Sequence, residues 1–359
     1  MAIRVAHVNV ARGYRGGERQ TELLIRELAG TEVLQTLVAR HGAPLAARMR
    51  DLAGKVTVRT VSGTPFSVAG AVRDVDLVHV HEGRSVYGAY LRWLLSKTPY
   101  IVTRRVNNPI RGHWFAHQAY QRAACVAAVA PQVAEVVRRY DASVRVRVIY
   151  SASSGLRVDH VQSARIRAAF PGKFLVGHVG ALDNAQKGQE YIIRVAAQIE
   201  ESHPDVQFLL VGGGEDEAML KHAAEGLRNV AFAGFVDNVG DYLAALDLFI
   251  LPSTREGIGS ILLDAMEQRL PVVAANVGGV PDIVHDGENG LLIDSARPDQ
   301  LQAAILRLRA SPDLRRELGE RGRQLAKNFT AAVMAEKYLV LYRSVAAAEG
   351  IEDLRHSST

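Results

Sequence analysis

Apolar residues along this chain fall into short unbroken runs, separated by longer stretches in which they recur every three or four positions. The runs read as strands buried on both faces and the spaced stretches as amphipathic helices. In the first half the pattern predicts strands at Ile3–Val10, Val33–Val38, Val56–Val61, Leu77–Val80, Tyr100–Thr103, Cys125–Val129 and Val146–Ile149. Gly16-Gly17 closes the loop after the first strand, and Thr21, Leu24, Ile25 and Leu28 then share one helix face. The second half predicts strands at Phe174–Val179, Val206–Val211, Val230–Ala233, Leu248–Leu251, Val272–Ala274 and Gly290–Ile293. Strand and helix alternate in both halves, which is the pattern of a doubly wound parallel sheet in each. Composition changes in the stretch beginning SASSGLRVDH, so the expected division is a domain at 1–152, a linker at 153–172, a domain at 173–331 and a last helix within 332–359.

Two adjacent strand ends carry the chemistry. Leu248–Leu251 runs into a loop holding Glu256; Gly257-Ile258-Gly259-Ser260 then opens a helix, with a second carboxylate, Asp264, eight positions after the first. The strand that follows ends at Gly278-Gly279. Glycine lets backbone approach an anion closely, and the free N–H groups and dipole at a helix start favour negative charge. Strand ends that open onto such turns are how an open parallel sheet builds a phosphate crevice. A carboxylate before the turn would repel phosphate; it suits sugar hydroxyls or loop amides. A diphosphate flanked by two sugars would use the whole set.

The residues Glu256-Gly257-Ile258-Gly259, Asp264, Pro271-Val272-Val273-Ala274, Gly278 to Val284 (GGVPDIV) and Asp286 to Leu292 (DGENGLL) resemble, in order and spacing, the motifs of the retaining glycosyltransferases of family 4, glycosyl transferases group 1. The resemblance runs over nearly the whole chain. It implies the α/β GT-B fold: two doubly wound Rossmann-like domains facing across a cleft, with the last helix crossing back onto the first domain. It implies transfer of a sugar from a UDP-, GDP- or ADP-linked nucleotide-diphosphate sugar, without cofactor or metal. The implied acceptor is a glycan or lipid-linked molecule in cell-envelope polysaccharide or lipopolysaccharide synthesis.

Carried over residue by residue, the resemblance gives Glu256 the donor sugar hydroxyls and Lys187 the diphosphate. The amides of Ile258 and Gly259, with Ser260, join Lys187 there. Asp264 stands where the family binds ribose with a glutamate. Gly180 and Gly214 line the turns by the nucleotide, and Phe235–Val236 border the base. Gly16-Gly17 lies under the phosphate and sugar, and His81 faces the crevice as a catalytic group, while His79 reads as a core residue. Ala181 replaces the usual phosphate-binding arginine. Arg104, Arg105 and His113 are candidates for the acceptor or for that missing cation. Asp74 and Asp76 have metal-binding D-x-D spacing but precede their strand, at the end away from the crevice. Ala181 and Asp264 keep two alternatives open, a GT-B relative such as a nucleotide-sugar 2-epimerase and a non-catalytic carbohydrate-binding descendant.

Charge adds a partner. Residues 1–150 hold 22 Lys+Arg against 10 Asp+Glu, a net of +12, while the remainder nets −7. A basic half suits an anionic partner. No nucleic-acid motif or aromatic stacking platform is present, so no nucleic acid is expected, and an anionic membrane or a phosphorylated acceptor fits better. In Arg111 to Phe115 (RGHWF), two readings of Trp114 stand: a membrane-interface residue or a core residue. The single Cys125 excludes an internal disulfide and fits a reducing compartment. MAIRVAHVNV reads as a first strand rather than a signal peptide, and no apolar run approaches membrane-spanning length. A cytoplasmic enzyme working at the inner face of the cytoplasmic membrane is the expectation.

Overall fold

A computed structural model describes residues 2–110 and 114–350. The chain forms two compact units. One contains the residues up to Ala152 together with the helix that begins at Ala331; the other is Ser153–Thr330.

The first unit runs β1 (Ile3–Asn9), α1 (Gly16–Leu28), β2 (Val33–Arg40), α2 (Pro44–Arg48), β3 (Val56–Val61), α3 (Pro65–Ala71), β4 (Leu77–Val80), α4 (Val86–Ser96), β5 (Tyr100–Arg104), α5 (Trp114–Gln121), β6 (Cys125–Ala128), α6 (Pro131–Tyr140) and β7 (Val146–Val148). All seven strands are parallel, in the order β3-β2-β1-β4-β5-β6-β7. The order reverses between β1 and β4, so the switch point lies at the ends of those two strands. Alternation along the strands gives two cores. Val8, Val78, Tyr100 and Val102 face the layer that includes Val68, Tyr90 and Tyr120. Val5, Leu77, Ile101 and Cys125 face Leu24, Leu28 and the final helix.

The second unit runs α7 (His160–Ala168), β8 (Phe174–Val179), α8 (Asn184–Lys187), α9 (Gln189–Ile199), β9 (Val206–Val211), α10 (Glu217–Ala223), β10 (Val230–Gly234), α11 (Val239–Ala245), β11 (Leu248–Leu251), α12 (Ile261–Glu267), β12 (Val272–Ala275), β13 (Leu291–Ile293), α13 (Pro298–Ala310) and α14 (Pro312–Ala326). Its parallel sheet has the order β10-β9-β8-β11-β12-β13, which reverses between β8 and β11. The last helix, α15 (Ala331–Ala348), belongs to the first unit and buries Met334, Tyr338, Leu341, Tyr342 and Val345 there.

All thirteen strands expected from the apolar runs are present. The stretch 153–172 differs from the linker expected there. Ser153 and Ser154 bond to Glu267 and Asp264, and α7, capped by Asp159, packs against α11. Within α7 only Ser163 is fully buried, so it carries no apolar stripe for a sequence reading to find.

Candidate active site

The switch point of the second sheet gathers the candidate donor residues. β8 ends at Val179 and β11 at Leu251, and the loops that follow, from Gly180 and Pro252, are joined to each other. The Thr254 amide donates to the Gln186 carbonyl at 2.8 Å, and the Thr254 hydroxyl to the Ala185 carbonyl at 2.6 Å. Gly188 adopts φ 65°, and a Cβ there would lie 2.5 Å from the Pro252 carbonyl oxygen, so only glycine permits this approach. Across this junction Lys187 Nζ lies 2.5 Å from Glu256 Oε1, which also accepts from Ser253 Oγ at 2.7 Å. Glu256 is 9% exposed. The Lys187 side chain passes over Gly180, its Cε 3.9 Å from where a Cβ would stand. Cation, carboxylate and glycine turn thus occupy one spot.

Lys187 does not begin a helix. It ends α8, where the helix dipole favours a cation, and Gly188 separates it from α9. The turn before α12 joins the next glycine turn through the Gly279 amide, which donates to the Gly257 carbonyl at 2.8 Å. Among the described residues, none accepts a backbone hydrogen bond from the amides of Ile258, Gly259 or Ser260. The Ser260 side chain makes no cap bond, and Gly259 has φ 69°.

Gly180 and Gly214 act through their backbones. The Leu182 amide donates to the Gly213 carbonyl at 3.1 Å, and the Gly212 amide to the Gly234 carbonyl at 2.8 Å. A Cβ on Gly214 would stand 2.2 Å from the Leu182 carbonyl oxygen. The two turns are therefore stacked backbone on backbone. Phe235 follows β10 beside Gly213 and is 73% exposed, with Val236 after it.

Asp264 is placed differently from expectation. It is buried, and Ser154 donates to both its oxygens, through the amide at 2.5 Å and the hydroxyl at 3.1 Å. As it stands it holds the entry segment of the second unit. Asp286 and Asn289 of the D-G-x-N-G run are likewise structural: Asp286 accepts from the Leu292 amide, and Asn289 bonds to both His285 and Ile283.

Two residues not foreseen support the site. His178 is fully buried in β8, with Nδ1 3.1 Å from the Ile250 carbonyl oxygen and Nε2 3.3 Å from Gln189 Nε2. A carbonyl can only accept, so Nδ1 carries the proton and Nε2 accepts from Gln189, which also donates to the Ala181 carbonyl at 2.8 Å. This chain pins the turn where the family arginine is missing. Burial, with the charge of Lys187 adding to it, pushes His178 down to about 4. The available sequence signal was a single imidazole inside an otherwise apolar strand.

At the switch point of the first sheet, His7, His79 and His81 lie on one face, all buried. His79 is satisfied on both sides, at 2.6 Å from Tyr342 Oη and 2.6 Å from Thr103 Oγ1, as expected of a core histidine. His7 Nδ1 lies 3.1 Å from His81 Nε2. Burial lowers His7 to about 3 and holds His79 and His81 well below the usual range. Their nitrogens lie within metal-ligand reach of one another. Arg105 adds positive charge beside them, and both nitrogens of His79 are already engaged, a poor setting for a cation. His81 is the histidine nearest the strand end, and its Nδ1 has no partner among the described residues.

Gly16 starts α1, and the Glu18 carboxylate accepts from the Arg15 amide at 2.8 Å. The Arg105 side chain lies over Gly17, with Cδ 3.7 Å from a Cβ position there, and Nη1 donates to Ser151 Oγ at 3.3 Å. Burial lowers its pKa. Arg104 turns to the opposite face, to the Tyr120 hydroxyl and the Asn108 carbonyl. Of the two candidate arginines only Arg105 is therefore at the glycine turn. His113 lies outside the described residues, as do Arg111 and Gly112. Trp114 is 71% exposed, which removes the core reading. Asp74 and Asp76 are engaged by Arg59 and Arg4 rather than poised for a metal. Cys125 is buried, and its thiol is pushed up to about 11.

Residues 162–325 match the family described as Glycosyl transferases group 1. The chain is 28% identical over 374 residues to the alpha-maltose-1-phosphate synthase of Mycolicibacterium smegmatis, covering 92% of this chain and 95% of that one. It is 26% identical over 341 residues to the lipopolysaccharide core biosynthesis glycosyltransferase LpsE of Rhizobium meliloti, with 92% and 96% covered. Anabaena HepE in complex with UDP-glucose superposes with a TM-score of 0.84 at 18% identity, over 95% of this chain and all of that one. Together with the two doubly wound sheets, these likenesses support a glycosyltransferase of group 1 built on the GT-B fold.

Proposed function

We propose that the protein transfers a sugar, with retention of configuration, from a nucleotide-diphosphate sugar to a glycan or lipid-linked acceptor. The observation that carries this reading is the Lys187–Glu256 pair over Gly180 at the β8/β11 switch point. The diphosphate takes Lys187 and the amides of Ile258, Gly259 and Ser260, a set that stabilises charge growing on the leaving phosphate without a metal. Freed from Lys187, Glu256 accepts hydrogen bonds from the donor sugar hydroxyls. Phe235 and Val236 border the base. Glu256 is neutralised by Lys187, and Asp264 is held by Ser154, so the two do not form an acid–nucleophile pair of the glycosidase kind. The leaving phosphate then takes the acceptor proton on the face it departs from.

The likeness to LpsE supports an acceptor in envelope polysaccharide or lipopolysaccharide synthesis, reached from the cytoplasm at the membrane face. No helix among the described residues is long and apolar enough to cross a membrane. Ala181 keeps a nucleotide-sugar 2-epimerase, or a descendant that only binds carbohydrate, as the second reading. A thermal-shift panel of UDP-, GDP- and ADP-sugars identifies the donor, because a bound ligand raises stability by mass action. Nucleotide release that requires acceptor, with the anomeric configuration of the product read by NMR, then tests transfer. Release without acceptor, or an inverted product, overturns the proposal.

A further inference from the structure

One face of the first unit is apolar where a soluble protein has no use for it. Helix α4 packs Val86, Ala89 and Tyr90 inward. On its outer side Tyr87, Leu91, Leu94 and Leu95 stand at i, i+4, i+7 and i+8, a second apolar stripe. Leu94 is 46% exposed and Leu95 70%. At the start of the stripe Phe115 stacks on Tyr87 with ring centroids 5.6 Å apart, and the exposed Trp114 adjoins it. The neighbouring α3, which crosses α4 at Gly88, adds the exposed Phe66.

The stretch of chain that carries this stripe is basic. From Gly83 to Ala134, 52 consecutive residues, there is no Asp or Glu, while Arg84, Arg92 and Lys97 stand on or beside α4 and Arg122 follows α5. Lys97 Nζ sits 3.9 Å above the Trp93 ring, and Arg122 stacks on the same ring. An aliphatic stripe with exposed aromatics and a basic border is the pattern of a surface that lies in the interface of an anionic bilayer. A second copy of the same face would bring basic groups against basic groups, since a two-fold contact pairs a patch with itself.

We propose that the exposed stripe of α4, with Trp114 and Phe115, docks the first unit onto an anionic lipid surface. The proposal rests on the reading of a membrane-side acceptor and names the residues that would make the contact. The protein with Trp93→Phe, which leaves Trp114 as the only indole, is mixed at low salt with vesicles rich in phosphatidylglycerol or made of phosphatidylcholine alone. The expected result is co-sedimentation with the anionic vesicles only, a blue shift of Trp114 emission, and release by added salt. Leu94→Ser with Leu95→Ser, both at exposed positions, is expected to weaken vesicle binding at least about tenfold. Calorimetric binding of UDP, GDP or ADP, measured on the same variants, is expected to be unchanged. Equal binding to both vesicle types, binding by the double variant as by its parent, or concentration-dependent dimers that the double variant abolishes would each overturn it. Loss of nucleotide binding in the parent protein would instead count against the transferase reading, since vesicle binding is measured without nucleotide.

Discussion

Removing one member of the Lys187–Glu256 pair is expected to have opposite effects on nucleotide binding, depending on which member is removed. At 2.5 Å the two charges attract by about 6–7 kcal/mol at an effective dielectric of about 20. Desolvation offsets much of this, and Lys187 is still 23% exposed, so the net coupling is about 2–3 kcal/mol. Lys187→Met leaves the Glu256 carboxylate buried with, among the described residues, only Ser253 as its side-chain hydrogen-bond partner. It should therefore destabilise the second unit by about 2–3 kcal/mol, and Glu256→Gln in the same chain should restore most of that loss. Both tryptophans lie in the first unit, so the stability of the second is read from hydrogen exchange of the β8 and β11 amides. In calorimetry Lys187→Met should weaken UDP, GDP or ADP, whichever is the cognate nucleotide, more than the matching nucleoside. Glu256→Gln should tighten the nucleotide several-fold, because Lys187 no longer has to leave a carboxylate, while turnover falls by a factor of about 100 or more. If Glu256→Gln weakens the diphosphate as much as Lys187→Met does, the pair is a structural unit and the exchange of partners proposed for donor binding is wrong.

The buried histidines make both units acid-sensitive. Their folded pKa values, about 3 for His7 and about 4 for His178, lie below the unfolded value near 6.5, so their contribution is complete above pH 6.5 and is lost as pH falls through that window. Each costs about 2 kcal/mol by pH 5, and calorimetric unfolding between about pH 7.5 and 5 should show the loss; a flat Tm would refute it. Arg105→Ala should lower transfer or donor affinity while Arg104→Ala leaves donor affinity unchanged, and the reverse order in calorimetry would reassign them. Gly214→Ala should cost more than about 2 kcal/mol through the clash with the Leu182 carbonyl, read as lost exchange protection in β8 and β9. A neutral result there would mean the stacked turns can part freely.

The strands were legible because each is an uninterrupted apolar run that a sheet covered on both faces requires. The glycine turns were legible because their spacing is tied to backbone that must approach an anion. Which side chains meet was less accessible. Lys187 and Glu256 stand 69 positions apart, and only the strand order β8-β11 brings their loops together. The resemblance put Asp264 at the ribose, but Ser154, where the chain enters the second unit, claims it. Alternation could have separated the arginines: Arg104 shares a face with Tyr100 and Val102, so Arg105 is the one beyond the strand end. His178 and Gln189 gave almost no signal, since a buried tautomer relay depends on a carbonyl across the sheet.

The position of α15 in the chain has a consequence for biogenesis. Tyr338, Tyr342, Leu341, Met334 and Val345 bury roughly 7–15 kcal/mol worth of apolar surface in the first unit, comparable to the whole stability of a domain. Those residues leave the ribosome after every strand of both sheets. The second unit is one continuous segment and can fold while the chain is being made, whereas the first must wait, with β1, β4 and β5 only partly covered by α1 on one face, until α15 has been made. The order of maturation is thus the reverse of the usual N-terminal-first course. Nascent chains arrested before Ala331 should resist protease in the second unit and be cut in the first.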